Sequence, residues 1–142
     1  MTVPKHSDTT TSIRILIAKL IVTALILATG LGTVIQDWNE THLYNTTWPP
    51  HALFHMAMGI LMILGLDLIA GYIVWFMPAP NKQRIWLGTA LMALIFAAVL
   101  GANLFPMSGL GPGESTGLNN QITVAWVGLG LSLVAVVLAR KT

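Results

Sequence analysis

The chain has 142 residues, of which 55% are hydrophobic and 8% charged, with a net charge of +2 and a mean hydropathy of +0.76. About a quarter of the residues of a soluble domain are charged, so this composition excludes an ordinary soluble protein. The absence of cysteine excludes disulfides and thiolate chemistry, and the small positive excess does not indicate a nucleic-acid partner.

Four apolar segments follow one another along the chain, at about residues 13–35, 51–77, 85–105 and 118–139. Each has about 20 residues or more, enough to cross a bilayer as a helix. Pro50 suits the start of the second helix, and Pro78 and Pro106 follow the second and third. A cleaved signal peptide is the alternative for the first segment, but apolar sequence continues past Gly30. The pattern predicts one all-α integral membrane domain, a four-helix transmembrane bundle in contact with the lipid bilayer.

The basic residues predict the orientation of this bundle. All of them fall in the N-terminal region, between the second and third segments, or at the C-terminus: Lys5, Arg14, Lys19, Lys82, Arg84, Arg140 and Lys141. Basic residues are enriched on the cytoplasmic side of membrane proteins, so both termini are predicted to be cytoplasmic, in the inner or plasma membrane if the source is bacterial. Residues 36–50 then face the opposite, extracytoplasmic side.

Small residues at helical spacing predict close helix packing and a possible homo-oligomer. The third segment carries Ala93, Ala97 and Gly101, and the fourth carries Gly128 and Ser132.

A dense group of ionisable residues lies between the first two segments. His51 and His55 are four residues apart, so one face of a helix carries both imidazoles. His42, Glu40 and Asp37 lie in the preceding stretch and can fold back toward that helix end. Histidine exchanges protons near neutral pH, which suits an acid–base site, and three imidazoles with a carboxylate would also suit a divalent transition metal. The remaining interpretation is a polar interfacial loop without a site.

Further side chains are predicted to complete this site. Trp48 and Phe54 would wall a substrate pocket, while Asn45 and Asn103 would contact the substrate. Asn103 interrupts an apolar run, and polar side chains in such a position face the bundle interior.

Asp67 lies about 18 Å deeper along the second helix than His55. A carboxylate at that depth is costly unless it is paired. Counted from the cytoplasmic helix ends, Lys19 of the first segment is expected at a comparable depth. The sequence therefore predicts a structural Lys19–Asp67 ion pair, with a proton-relay role for Asp67 as the alternative.

The segment from Trp38 to His42, followed by Asn45, by Trp48 to Ala52 and by Phe54 and His55, resembles the signature of a family of small four-span membrane proteins of uncharacterised function. Thr46 stands where that pattern often has proline. The architecture is also loosely similar to that of DoxX-like four-helix proteins. The resemblance implies a four-helix membrane fold and implies no activity.

Two functions follow from these observations. The first is a small membrane enzyme that acts on a lipophilic small molecule at the extracytoplasmic face, with His42, His51 and His55 as acid–base groups or ligands. Glu40 and Asp37 would assist them. The second is a non-catalytic accessory subunit or a lipid-binding membrane protein.

Overall fold

The computed structural model of the chain describes residues 7–102, 104–105 and 121–140. These residues form four helices: α1 (Ser7–Asp37), α2 (Pro50–Trp75), α3 (Asn81–Ala102) and α4 (Gln121–Arg140). Every secondary-structure element in the described ranges is helical, which confirms the all-α prediction. Each helix is long and apolar enough to cross a membrane, so length and composition indicate an integral membrane protein.

The helix ends differ from the sequence-based boundaries by a few residues. The Ser/Thr-rich stretch from Ser7 joins α1 instead of remaining outside it. Pro50 occupies the first turn of α2, where the missing N–H needs no partner. That helix ends at Trp75, and the N–H of Phe76 is bonded to the Tyr72 carbonyl. The described part of α4 begins at Gln121, and residues 118–120 lie outside the described ranges.

The helices pack in chain order around the bundle. Neighbouring helices contact one another, α4 closes the ring against α1, and α1 also touches α3 across the centre. Residues 38–49 connect α1 to α2 at one end of the bundle, which we call the loop end. The opposite end carries the α2–α3 connection, and we call it the turn end. Gln121 donates to the Gln36 side chain at 2.9 Å, so α4 begins at the loop end.

The bundle presents apolar side chains outward along all four helices. Leu31, Ile35, Leu61 and Leu68 are examples of large apolar residues that are more than half exposed. At the turn end, Lys19 lies over the Trp75 ring at 5.3 Å, and Arg140 lies over the Trp86 ring at 5.6 Å. Basic and aromatic side chains combined in this way are typical of a membrane–water interface.

Small residues bring the helices together, although α3 does not use the predicted ones. Ala97 is exposed and Gly101 has open space beside it, so this stripe does not pack inside the bundle. The close approach occurs at Gly88, where an added Cβ would overlap the Val74 side chain. It occurs again at Gly128, which is covered by the ring of Phe96. The buried face of α3 is displaced from the predicted stripe because bulky Met92, Ile95 and Phe96 fill the core.

Candidate functional site

Two asparagines fold the connection between α1 and α2. Asn39 accepts hydrogen bonds from the backbone N–H and the hydroxyl of Thr41, at 2.8 and 2.7 Å, and donates to the Gln36 carbonyl at 2.6 Å. Asn45 repeats the motif with Thr47, at 2.9 and 2.6 Å, and donates to the Thr41 carbonyl. These are Asx turns, in which the side chain provides hydrogen bonds that the backbone would otherwise make within a helix, so they favour a turn in a short polar segment. Asn45 therefore has a structural role in the loop, and its predicted contact with a substrate stays a prediction.

His51 and His55 form a close pair in the first turns of α2. Their Nε2 atoms are 3.0 Å apart, and the rings meet edge to face with centroids 4.4 Å apart. One ring must donate an N–H and the other must accept it, so two neutral rings need opposite tautomers. The predicted shared face follows from the i, i+4 spacing along the helix. The two imidazoles are thus joined through one proton.

Asp37 lines the same cavity as this pair. The cavity has a volume of about 640 Å³ and opens at the loop end of α2. Asp37, His51 and His55 provide its polar lining, while Met56, Ile60 and Ile63 with Gly59 line its apolar part. We call it the loop-end cavity. The part of the cavity near the loop can therefore exchange protons, and its continuation along α2 can accommodate hydrocarbon.

His42 is held on the loop by other contacts. Its Nδ1 is 2.8 Å from the Thr41 hydroxyl, and its ring meets Trp48 edge to face at a centroid distance of 5.8 Å. Its Nε2 lies 4.0 Å from an oxygen of Asp37. His42 thus reaches the edge of the site through Asp37, whereas His51 and His55 contact each other.

The predicted metal centre is not supported. Within residues 7–102, 104–105 and 121–140, no group of three His, Asp or Glu side chains could hold a metal ion. The physical reason is that Thr41 and Trp48 hold the His42 ring on the loop, whereas His51 and His55 turn toward each other on α2. Two imidazoles fall short of the three protein ligands of a typical catalytic zinc site.

The remaining predicted site residues take varied positions. Glu40 is exposed on the loop. Phe54 is 63% exposed and touches the His55 ring at 5.6 Å, and it does not line the loop-end cavity. Trp48 packs against His42 and is likewise outside the cavity lining. Asn103 lies outside the described residues.

The described structure gives Lys19 and Asp67, the predicted ion pair, different partners. Asp67 is 6% exposed, and its Oδ1 accepts a hydrogen bond from the Thr29 hydroxyl at 2.8 Å. Lys19 instead lies over Trp75, whose indole N–H donates to Thr23 at 3.0 Å. The difference lies in the depth estimate: α1 and α2 run antiparallel, with Thr23 beside Trp75 and Thr29 beside Asp67. Lys19 is ten residues from Thr29, which places it about 15 Å too far toward the turn end.

Thr29 is the residue that sequence reasoning missed. A partly open cavity of about 190 Å³ extends from Gln36, Asp37 and Gln121 at the loop end to Thr29 in the middle of the bundle. Thr29 therefore stands between this cavity and the Asp67 carboxyl. A threonine in an apolar helix is common, and only the α1–α2 register reveals that its hydroxyl faces a carboxyl. The one available signal was the need of Asp67 for a partner.

The chain was compared with known protein families, curated proteins and solved structures. Residues 20–142 match DUF6640, described as a family of unknown function. This agrees with the expected membership of an uncharacterised family, while the signature and the DoxX-like architecture stay predictions. No curated protein and no solved structure matched the chain.

Proposed function

The chain belongs to DUF6640, a family of unknown function, and we propose that it is a multi-pass membrane enzyme acting on a lipophilic small molecule. The acid–base site is the loop-end cavity. The one-sided distribution of Lys and Arg supports placing this cavity on the extracytoplasmic side, with both termini in the cytoplasm.

One observation carries the proposal. The Nε2 atoms of His51 and His55 are 3.0 Å apart in a cavity that Asp37 also lines. When the pair carries one extra proton, that proton can move between the two Nε2 atoms, which already lie at hydrogen-bond distance. The ring nearer the substrate can then donate its Nδ1 proton, and two neutral rings remain. The Asp37 carboxylate can stabilise the positive charge that a protonated pair carries.

The shape of the cavity supports an amphipathic substrate. Its polar groups lie near the loop, and Met56, Ile60 and Ile63 continue the wall along α2 into the apolar part of the bundle. A molecule with a polar head and a hydrocarbon tail would place its head at the imidazoles and its tail along these side chains. His42 and Glu40 have the supporting roles in this arrangement: His42 approaches Asp37, and Glu40 adds negative charge to the loop.

A second candidate is a non-catalytic role as a lipid-binding protein or accessory subunit. The apolar wall of the loop-end cavity supports it, since binding alone needs no proton transfer. The two candidates differ in whether the bound molecule is chemically changed.

Lipid extracts of cells that produce the protein test the proposal. We expect wild type to change the abundance of at least one lipophilic species, and His51→Gln and His55→Gln to reduce that conversion about 100-fold or more, the usual contribution of a positioned acid or base. Glutamine preserves hydrogen bonding but cannot exchange the proton.

Two glycines on α2 provide a steric control. Gly59 lines the cavity and has no atom within 4 Å of an added Cβ, so Gly59→Leu should fill the site and stop conversion. Gly65 also has open space and is not part of the cavity lining, so Gly65→Leu should behave as wild type. A lipid profile identical in wild type and in the two histidine variants would contradict the enzyme proposal, and co-purified lipid lost only in Gly59→Leu would favour the binding role.

A further inference from the structure

A second site lies on the outer face of the α1–α2 pair, away from the histidines. It is a groove of about 750 Å³, within the range of small-molecule sites. Its lining is almost wholly apolar and includes Leu31, Leu64, Leu68 and Phe76, with Gly71 and the carboxyl of Asp67. We call it the α1–α2 groove. Along α2 it extends from Leu64 to Phe76, which is about 18 Å of helix.

Asp67 is the one carboxyl in this apolar wall, and it is only half satisfied. Its Oδ1 accepts from Thr29 at 2.8 Å. Its Oδ2 is buried and has no hydrogen-bond partner among the described side chains and backbone. That oxygen lies 2.9 Å from the position of a Cβ on Gly30, and Gly30 lines the groove beside it. The unpaired oxygen therefore lies beside Gly30, just beneath the surface of the groove.

Two basic groups toward the turn end make other contacts. Lys19 lies over the Trp75 ring at 5.3 Å, and the Arg84 Nε donates to the Ile73 carbonyl at 3.2 Å. Leaving a carboxylate buried without a counter-charge is costly, and a cation in the groove would remove that cost.

We propose that the α1–α2 groove binds a lipophilic amine, with its ammonium group at the free oxygen of Asp67 and its hydrocarbon tail along the apolar wall. The charge of the carboxylate selects the amine over an alcohol or a fatty acid. An alcohol offers only a neutral hydrogen bond, and a fatty acid would bring a second negative charge to Asp67. This site shares no lining residue with the loop-end cavity and does not depend on the proposed function.

Binding of radiolabelled dodecylamine to the full-length chain in nanodiscs tests the proposal, with the signal of empty discs subtracted. We expect saturable binding of one amine per chain, with dodecanol and lauric acid about tenfold weaker or more, as expected for losing a charge-assisted hydrogen bond. Asp67→Asn keeps the shape of the side chain and should weaken amine binding by a similar factor.

A pair of glycine variants makes the test independent of any effect of Asp67 on folding. Gly71 lines the groove and has nothing within 4 Å of an added Cβ, so Gly71→Leu should block the groove and abolish binding. Gly65→Leu on the same helix is outside the groove lining and should bind the amine as wild type does. His51→Gln with His55→Gln should also leave amine binding unchanged, which separates this site from the acid–base site.

Three results would overturn the proposal. The first is equal binding of dodecylamine and dodecanol. The second is wild-type binding by Gly71→Leu. The third is wild-type binding by a folded Asp67→Asn variant.

Discussion

Replacing Gly128 with leucine is expected to destabilise the bundle by about 3 kcal/mol, at the upper end of the usual cost of overpacking a core. The added Cβ alone would overlap three atoms of the Phe96 ring. Phe96 is 4% exposed and belongs to the hydrophobic core, so displacing its ring would disturb the packing around it. Unfolding in mixtures of mild detergent and SDS measures the change.

Two comparisons isolate this contact. Gly130 is on the same helix, and an added Cβ there meets nothing within 4 Å, so Gly130→Leu should unfold close to wild type. Combining Gly128→Leu with Phe96→Ala should cost less than the sum of the two single changes, because each removes the clash or the cavity that the other creates. Additive costs, or equal effects at Gly128 and Gly130, would contradict the packing described here.

Replacing Thr29 with valine is expected to cost about 2 kcal/mol, the range for losing a hydrogen bond to a charged or strongly polar group in a buried site. Valine has the same shape as threonine but cannot donate to Asp67, so both carboxyl oxygens would be left without a partner. The same unfolding assay measures the loss.

The serine and double variants separate the hydrogen bond from general disruption. Thr29→Ser keeps the hydroxyl and should retain most of the stability. Thr29→Val combined with Asp67→Leu removes both polar partners and should be more stable than Thr29→Val alone, since replacing both members of a buried pair is nearly neutral. If instead the double variant were the least stable of the set, the Thr29–Asp67 bond would not be the source of the effect.

The fold was predictable from the sequence because four apolar runs of sufficient length, separated by proline and polar residues, have few alternatives in a membrane. The His51–His55 contact was predictable for a similar reason, since it depends only on the i, i+4 spacing of the two residues within one helix. Both inferences use local geometry.

Relations between helices could not be predicted in the same way. The partner of Asp67 depends on how far α1 slides along α2, and a shift of ten residues separates Lys19 from Thr29. The position of His42 depends on the Asx turns of Asn39 and Asn45, which hold its ring beside Trp48. Amphipathic periodicity gives little help here, because lipid and core are both apolar.

The most direct test of the proposed function is nitrogen-15 NMR of the chain labelled at its histidine rings, in nanodiscs. The central claim is that His51 and His55 act as one proton-exchanging unit through their Nε2 atoms, 3.0 Å apart. We expect one proton signal correlated with both Nε2 atoms, and we expect His55→Gln to shift the ring signals of His51. Proton signals that each correlate with only one Nε2 atom, together with His51 ring signals that are unchanged by His55→Gln, would contradict the claim.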